Sequence, residues 1–321
     1  MVKDLPEVKL ARRVISKHDL PVPFDLEALV KEYATLVYKT IPISGIDGVS
    51  LNLKVPGKKP TIIVNKLLPD TRKLFTLAHE LGHIIIPWHL GTIVDEIYTQ
   101  SYKDFIYALL EQEANRFAAE LLMPKEWIIK KYKNGNLDVA DLHKKIVRKI
   151  GVSDQAAAIR IIETLPPNII FAAEEIGIVL NSGKTANTHA YPPQINSDFS
   201  KDLYSYVKSY STFHGNSVKY HWWDLNSTIK NIDSTDSRTW REILDEIVND
   251  IHPPQGIIKF KQSINGIVAA AHGKEKHLGN LSVNSLLVAC LYRLERPELK
   301  KFTAHPDYKK FVKKRVQDFF K

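Results

Sequence analysis

Three residues in the stretch from Thr71 to His89, TRKLFTLAHELGHIIIPWH, have the types and spacing for metal chemistry: His79, Glu80 and His83, in the order H-E-x-x-H. On a helix, positions four apart share a face, so His79 and His83 can present two imidazoles to one ion. Glu80 is one residue on, rotated by about 100°, where a carboxylate reaches a water at the metal without filling the coordination shell. Two neutral nitrogen ligands, one general base and an open position for water are what a zinc peptidase needs. The flanks predict a helix. Leu74, Leu77, Ala78 and Leu81 are good helix formers, Asp70 is placed to cap it, and Pro87 stops it. Gly82 leaves room for another backbone to approach. With 12 histidines in the chain, such spacing arises by accident at a rate on the order of a few per cent, and the apolar flanks set this instance apart.

Two residues compete to be the third ligand. His89 lies ten residues beyond His79, the spacing of H-E-x-x-H-x-x-G-x-x-H zincins. That arrangement needs a glycine where this chain has Ile86. A β-branched residue suits a left-handed turn poorly, and Pro87 restricts Ile86 to extended conformations. His89 is therefore expected just past the helix end. The other candidate is Glu113, in EQEANRFAAELLMP. This segment predicts a second helix with Glu113, Phe117, Glu120 and Leu121 along one side. Ala114, Ala118 and Ala119 would let it pack closely enough for a carboxylate to reach a metal at about 2.0–2.2 Å. Glu113 is the choice, with Glu120 second. The metal expected is Zn²⁺, with Mn²⁺ as the alternative, because a His₂Glu set is not selective on ligand type alone.

RKLFTLAHELGH, followed about thirty residues later by EANRFAAELLMP, resembles the ImmA/IrrE group of metallopeptidases. The resemblance covers about Leu20 to Glu163. It implies a gluzincin-type site with His79, His83 and Glu113 as ligands and Glu80 as the base. It also implies a protein substrate, a helix-turn-helix repressor of phage, mobile-element or stress-response genes. The substrate would be received as an added strand at a sheet edge beside the metal.

The chain has 321 residues, 44% of them hydrophobic and 25% charged, the composition of a soluble globular protein with room for two domains. One cysteine, Cys290, sits in the apolar run LLVACLYRL, which excludes a disulfide framework and points to a reducing compartment. The N-terminus lacks the apolar core of a signal peptide, and no apolar run approaches the length of a membrane span. A cytoplasmic location is expected. The formal charge of +9 is spread over both halves, with 24 Lys and Arg against 20 Asp and Glu in residues 1–165 and 21 against 16 in residues 166–321. A solvated helix face accounts for such charge more often than nucleic acid does.

Taken in order, Val2 to Lys17 predicts a helix, and Asp25 opens another, DLEALVKEYAT, with apolar residues at helical spacing. Between Gly45 and Asn65 the pattern alternates in GVSLNLKV and turns β-branched in TIIVN, predicting two strands before the active-site helix. A short helix follows Pro124. Asn136 to Glu163 then predicts two helices joined at Gly151, a helix-turn-helix-like unit. If it read DNA, Gln155 and Arg160 would be its contacts, but the intervening alanines suit close packing better. LPPN, Leu165 to Asn168, is the expected boundary. Beyond it lie a strand-like IIFAAEEIGIVL, a tyrosine-rich segment, and helices near Thr239–Asp250, Ile257–Ala271, Val283–Arg296 and Asp307–Phe320. Trp222 and Trp223 are expected in a core. No motif in this half names a function, and neither half shows an internal repeat or low complexity.

The fold expected is α+β. Residues 1–135 would form a mostly helical zincin-like peptidase domain with a small sheet, and residues 136–165 the helix-turn-helix-like unit. Residues 166–321 would form a mainly helical α+β domain with a sensing, regulatory or partner-binding role. The function expected is metal-dependent endopeptidase. The alternative is a non-catalytic metal-containing regulator that binds a repressor or DNA, against which the complete Glu80 argues. The oxyanion-stabilising group is open between His143, Tyr132 and residues of the second half, including His189, His214 and His221.

Overall fold

The computed structural model describes residues 5–43, 45–94, 102–134, 137–215, 218–229 and 236–321. The fold is α+β, as expected, and the chain divides into two compact units, Met1–Thr164 and Leu165–Lys321. The expected boundary between residues 135 and 136 falls outside the described residues.

In the first unit, helices α1 (Pro6–Lys17) and α2 (Leu26–Tyr33) precede strands β1 (Thr35–Lys39), β2 (Gly48–Leu53) and β3 (Thr61–Asn65). Helix α3 (Asp70–Ile85), strand β4 (Gly91–Val94) and helix α4 (Tyr102–Leu122) come next, and α5 (Lys125–Asn134), α6 (Val139–Ile150) and α7 (Asp154–Thr164) complete it. The sheet order is β1-β3-β2-β4, with β1 and β3 parallel and the other two pairings antiparallel. The two expected strands are β2 and β3, and both lie inside the sheet, so the edges belong to β1 and β4. The sequence pattern does not predict those two.

Helix α3 packs against β2 and β3 on one side and α4 on the other. Every residue from Thr76 to His83 is buried, so the helix is enclosed over its functional stretch. Its end obeys the expected chemistry, with Ile86 extended ahead of Pro87. Its start does not. Asp70 is the first helical residue, Pro69 holds the cap position, and no side chain caps the helix. A Cβ on Gly82 would lie 3.1 Å from Phe117 Cδ1 and 3.4 Å from the Ala114 Cα, so the glycine lets α4 close on α3. On α4, Ala114, Phe117, Ala118 and Leu121 are fully buried.

Glu120, the second choice for a ligand, has a different role. Its side chain is 2% exposed, and its oxygens take Arg12 Nε of α1 at 2.8 Å and Arg160 Nη2 of α7. Arg160 Nε also donates to the Met123 carbonyl at 2.9 Å. This triad ties α1, α4 and α7 together. Arg160 is buried in it and is not presented to DNA, while Ala157 and Ala158 are buried beside it. The helix-turn-helix-like pair thus uses its alanines for packing. Glu120→Ala would take the buried carboxylate from Arg160 and leave it only the exposed Glu163 and the Met123 carbonyl, and the expected result is a loss of about 3 kcal/mol in chemical unfolding.

The second unit has β5 (Ile169–Glu175), β6 (Ile178–Lys184), β7 (Val207–His214) and β8 (Lys219–Leu225) in the antiparallel order β6-β5-β8-β7. Helices α8 (Trp240–Ile251), α9 (Ile257–His277), α10 (Val283–Leu294), α11 (Lys300–Thr303) and α12 (Tyr308–Asp318) complete the unit. Trp222 and Trp223 are buried in the core at 1% and 0% exposure. Cys290 is a buried free thiol, and burial pushes it up to about 12. Among the described residues, no helix is long and apolar enough to cross a membrane.

Candidate metal centre

His79 and His83, one turn apart on α3, turn their Nε2 atoms toward each other at 3.0 Å. The carboxylate that meets them is Glu111 of α4, with Oε2 at 3.0 Å from His79 Nε2 and Oε1 at 3.3 Å from His83 Nε2. Among the described residues, His79, His83 and Glu111 are the group of histidines and carboxylates that could hold a metal ion. Glu113, the expected ligand, is elsewhere. Its Oε2 accepts from Trp88 Nε1 at 2.6 Å and lies 3.0 Å from His89 Nε2. Residues two apart on a helix do not share a face, so the choice between Glu111 and Glu113 turns on helix phase. The expected stripe of Glu113, Phe117 and Glu120 set that phase by the buried residues.

The donor set fits a divalent cation. Glu111 Oε1 is a buried oxygen with no hydrogen bond, an orphan of the kind that an ion resolves. Burial works against a charged Glu111, but the two histidines outweigh it and hold the carboxyl at about 2. Burial likewise pushes His83 down to about 4, against the pull of Glu111, which favours the neutral imidazole a metal requires. Two imidazole nitrogens and one carboxylate are the donors of a three-residue catalytic zinc site.

Both imidazoles are held from behind. His79 Nδ1 stands 3.0 Å from Asn115 Oδ1, and Asn115 is four residues after Glu111, on the same face of α4. His83 Nδ1 stands 2.7 Å from Nδ1 of His89, which is fully buried. His89 lies past the helix end, as its Ile86-Pro87 context predicts. Asn115 has a readable signal in its spacing from Glu111. The Trp88–His89 segment has none, because its contacts depend on how the chain leaves α3.

Glu80 lies between α3 and the sheet at 1% exposure. Ser50 of β2, fully buried, donates its hydroxyl to Glu80 Oε2. A Cβ on Gly48 would come within 2.5 Å of Glu80 Oε1 and 2.8 Å of Thr76 Cγ2. The sheet therefore leaves a space shaped to the carboxylate and supplies one hydrogen bond to fix it. Gly48→Ala is expected to displace the Glu80 carboxylate, keep metal binding, and lower turnover by about 10–10². Paired metal titration and peptidase rates check this.

Lys54, just past the end of β2, is a neighbour of the site that the sequence does not single out. It is held at a positive φ of 53° and donates to the His83 carbonyl at 2.6 Å. Partial burial pushes this amine down to about 8. His143 is not available as an oxyanion group. It is buried on α6, its Nε2 is 2.8 Å from the Asp154 carbonyl, and burial pushes it down to about 4. Two histidines of the second unit are engaged within that unit. His189 Nε2 lies 2.9 Å from Glu275 Oε1, and His221 Nε2 lies 3.3 Å from Glu174 Oε2.

A helix-borne pair of histidines, a buried glutamate between them in sequence and a carboxylate from a second helix are the residue types a metallopeptidase centre uses. Residues 34–161 match the family of IrrE N-terminal-like domains, in line with the resemblance of the two motif blocks to the ImmA/IrrE group. The chain is similar to an "Uncharacterized immunity region protein 2" of Bacillus phage phi105, 28% identical over 126 residues, which are 36% of this chain and 77% of that protein. It is also similar to the "Radiation response metalloprotease IrrE" of Deinococcus deserti, 27% identical over 141 residues, which are 40% of this chain and 48% of that protein. The match thus spans about half the length of the radiation-response relative.

Proposed function

We propose that the chain is a Zn²⁺-dependent endopeptidase that cleaves a helix-turn-helix repressor. The observation that carries this reading is the convergence of His79 Nε2, His83 Nε2 and the Glu111 carboxylate, with Glu80 buried on the same helix and held by Ser50. These three residues would hold the metal. When bound, Zn²⁺ supplies Lewis acidity to the scissile carbonyl and acidifies water at neutral pH. Glu80 acts as the general base, taking a proton from the attacking water and returning it to the leaving amine. Ser50 holds the Glu80 carboxylate through this exchange, and Gly48 leaves it space. Asn115 fixes the ring plane of His79, so ordering of the site precedes substrate.

Support for the substrate class comes from the two relatives, one named for a phage immunity region and the other for a radiation response. The basic charge spread over both halves suits an acidic protein partner at least as well as DNA, and the burial of Arg160 removes the one cation expected at a base edge. The protein would act in the cytoplasm, and its second unit would receive the partner or the signal.

The test is incubation of the full-length protein with the repressor encoded nearest to its gene, with and without chelator. A discrete cut that the chelator abolishes and added Zn²⁺ restores is expected. A cut that persists in chelator would overturn the metal-dependent reading. Stable binding without any cut would favour the regulator that holds its partner.

A further inference from the structure

Behind His83 the structure places a chain of hydrogen-bonding groups that no ligand set requires. It runs from His83 Nδ1 to His89 Nδ1 at 2.7 Å, then from His89 Nε2 to Glu113 Oε2 at 3.0 Å. Trp88 Nε1 closes on the same Glu113 oxygen at 2.6 Å. Proton bookkeeping fixes the direction of the chain. A glutamate carboxylate only accepts, so His89 Nε2–H is the donor to Glu113. A neutral His89 then has a bare Nδ1, which accepts, so His83 Nδ1–H is the donor to His89. The only proton on a neutral His83 ring is thus held on Nδ1, and its Nε2 lone pair faces His79 and Glu111.

We propose that Glu113 and His89 are positioning residues for the metal centre, a relay that sets the tautomer and ring plane of His83. The inference rests on reading His79, His83 and Glu111 as the metal donors, and it goes beyond that reading by giving a role to two residues outside the donor set. The physical need is specific to this ligand. His79 is oriented by Asn115 on α4, within one turn of Glu111. His83 is in the last turn of α3, where its Nδ1 meets the segment beyond the helix end. Pro87 ends the helix and sends the chain to His89, which is buried completely. A ring fixed there by Glu113 ties the segment after α3 back to α4. Both ligating histidines are thereby referred to the helix that supplies the carboxylate. Partners of this kind typically contribute about 10–100-fold to metal affinity.

The test uses the full-length protein, with Zn²⁺ affinity measured by chelator competition and Co²⁺ absorption reporting ligand geometry. His89→Ala is expected to weaken Zn²⁺ binding about 10–100-fold while stoichiometry stays at one per chain. His89→Asn, whose amide oxygen can accept from His83 Nδ1, should recover most of that loss, a rescue that a packing role would not give. Because His89 is buried, Glu113→Leu is the second variant. Its side chain is 24% exposed, against full burial for His89, and about tenfold weaker binding with an altered Co²⁺ spectrum is expected. Parental affinity in both His89→Ala and Glu113→Leu overturns the relay, as does a His89→Asn variant no better than His89→Ala. A parent protein that binds no metal at all overturns the metal centre itself, and the relay with it.

Discussion

Replacing Glu80 with glutamine is expected to leave one metal ion per chain bound while peptide cleavage falls by about 10²–10⁴. The amide is nearly the same size as the carboxylate, so the space beside Gly48 still accommodates it. The Ser50 hydroxyl can still donate to its carbonyl oxygen. What is lost is a proton acceptor, since an amide cannot take a proton from water at neutral pH. Metal content and single-turnover cleavage measured on the same preparation separate the two. Turnover near the parental rate in a metal-replete Glu80→Gln protein would remove Glu80 from the chemistry and leave the regulator as the better account.

Glu111→Ala is expected to have the largest effect on the metal. It takes away the only negative charge among the donors and leaves two neutral imidazoles, so metal content after dialysis should fall from one per chain to a small fraction. Glu113→Ala should keep the ion at one per chain with affinity lowered about 10–100-fold. The contrast matters because the two residues share one helical turn and carry the same acidic group. Equal losses in the two variants, or a larger loss in Glu113→Ala, would show that the carboxylate facing the histidines is not the one that holds the ion.

The part of the site carried by local spacing was legible. His79, Glu80 and His83 come from one helical period, and the structure encloses them on a single buried helix. The position of His89 beyond the helix end is dictated by Ile86 and Pro87. The phase of α4 was not legible from its buried stripe. Glu111 and Glu113 sit on different faces of a helix that is apolar over much of its circumference, and the packing of Gly82 against Phe117 and Ala114 brings one of those faces to α3. Ser50 and Lys54 were unreadable for another reason. They reach the site across the sheet, 30 and 29 residues from the groups they bond. In the second unit the strand-like IIFAAEEIGIVL and the helices were legible in outline. The tyrosine-rich strand β7 was not, because its half-exposed faces blur the two-residue period.

The way α4 is fixed at two points bears on how this protein diverges from its relatives. Glu111 and Glu120 are nine residues apart, a rise of about 13.5 Å along one helix. At one end the helix must aim an oxygen at two imidazoles. At the other it must seat a carboxylate between Arg12 and Arg160. Inserting one residue between them would turn the two ends by about 100° relative to each other, so both could not be satisfied at once. The interval behaves as a ruler: its residues are free to change among those that pack, but its length is fixed by the two ends.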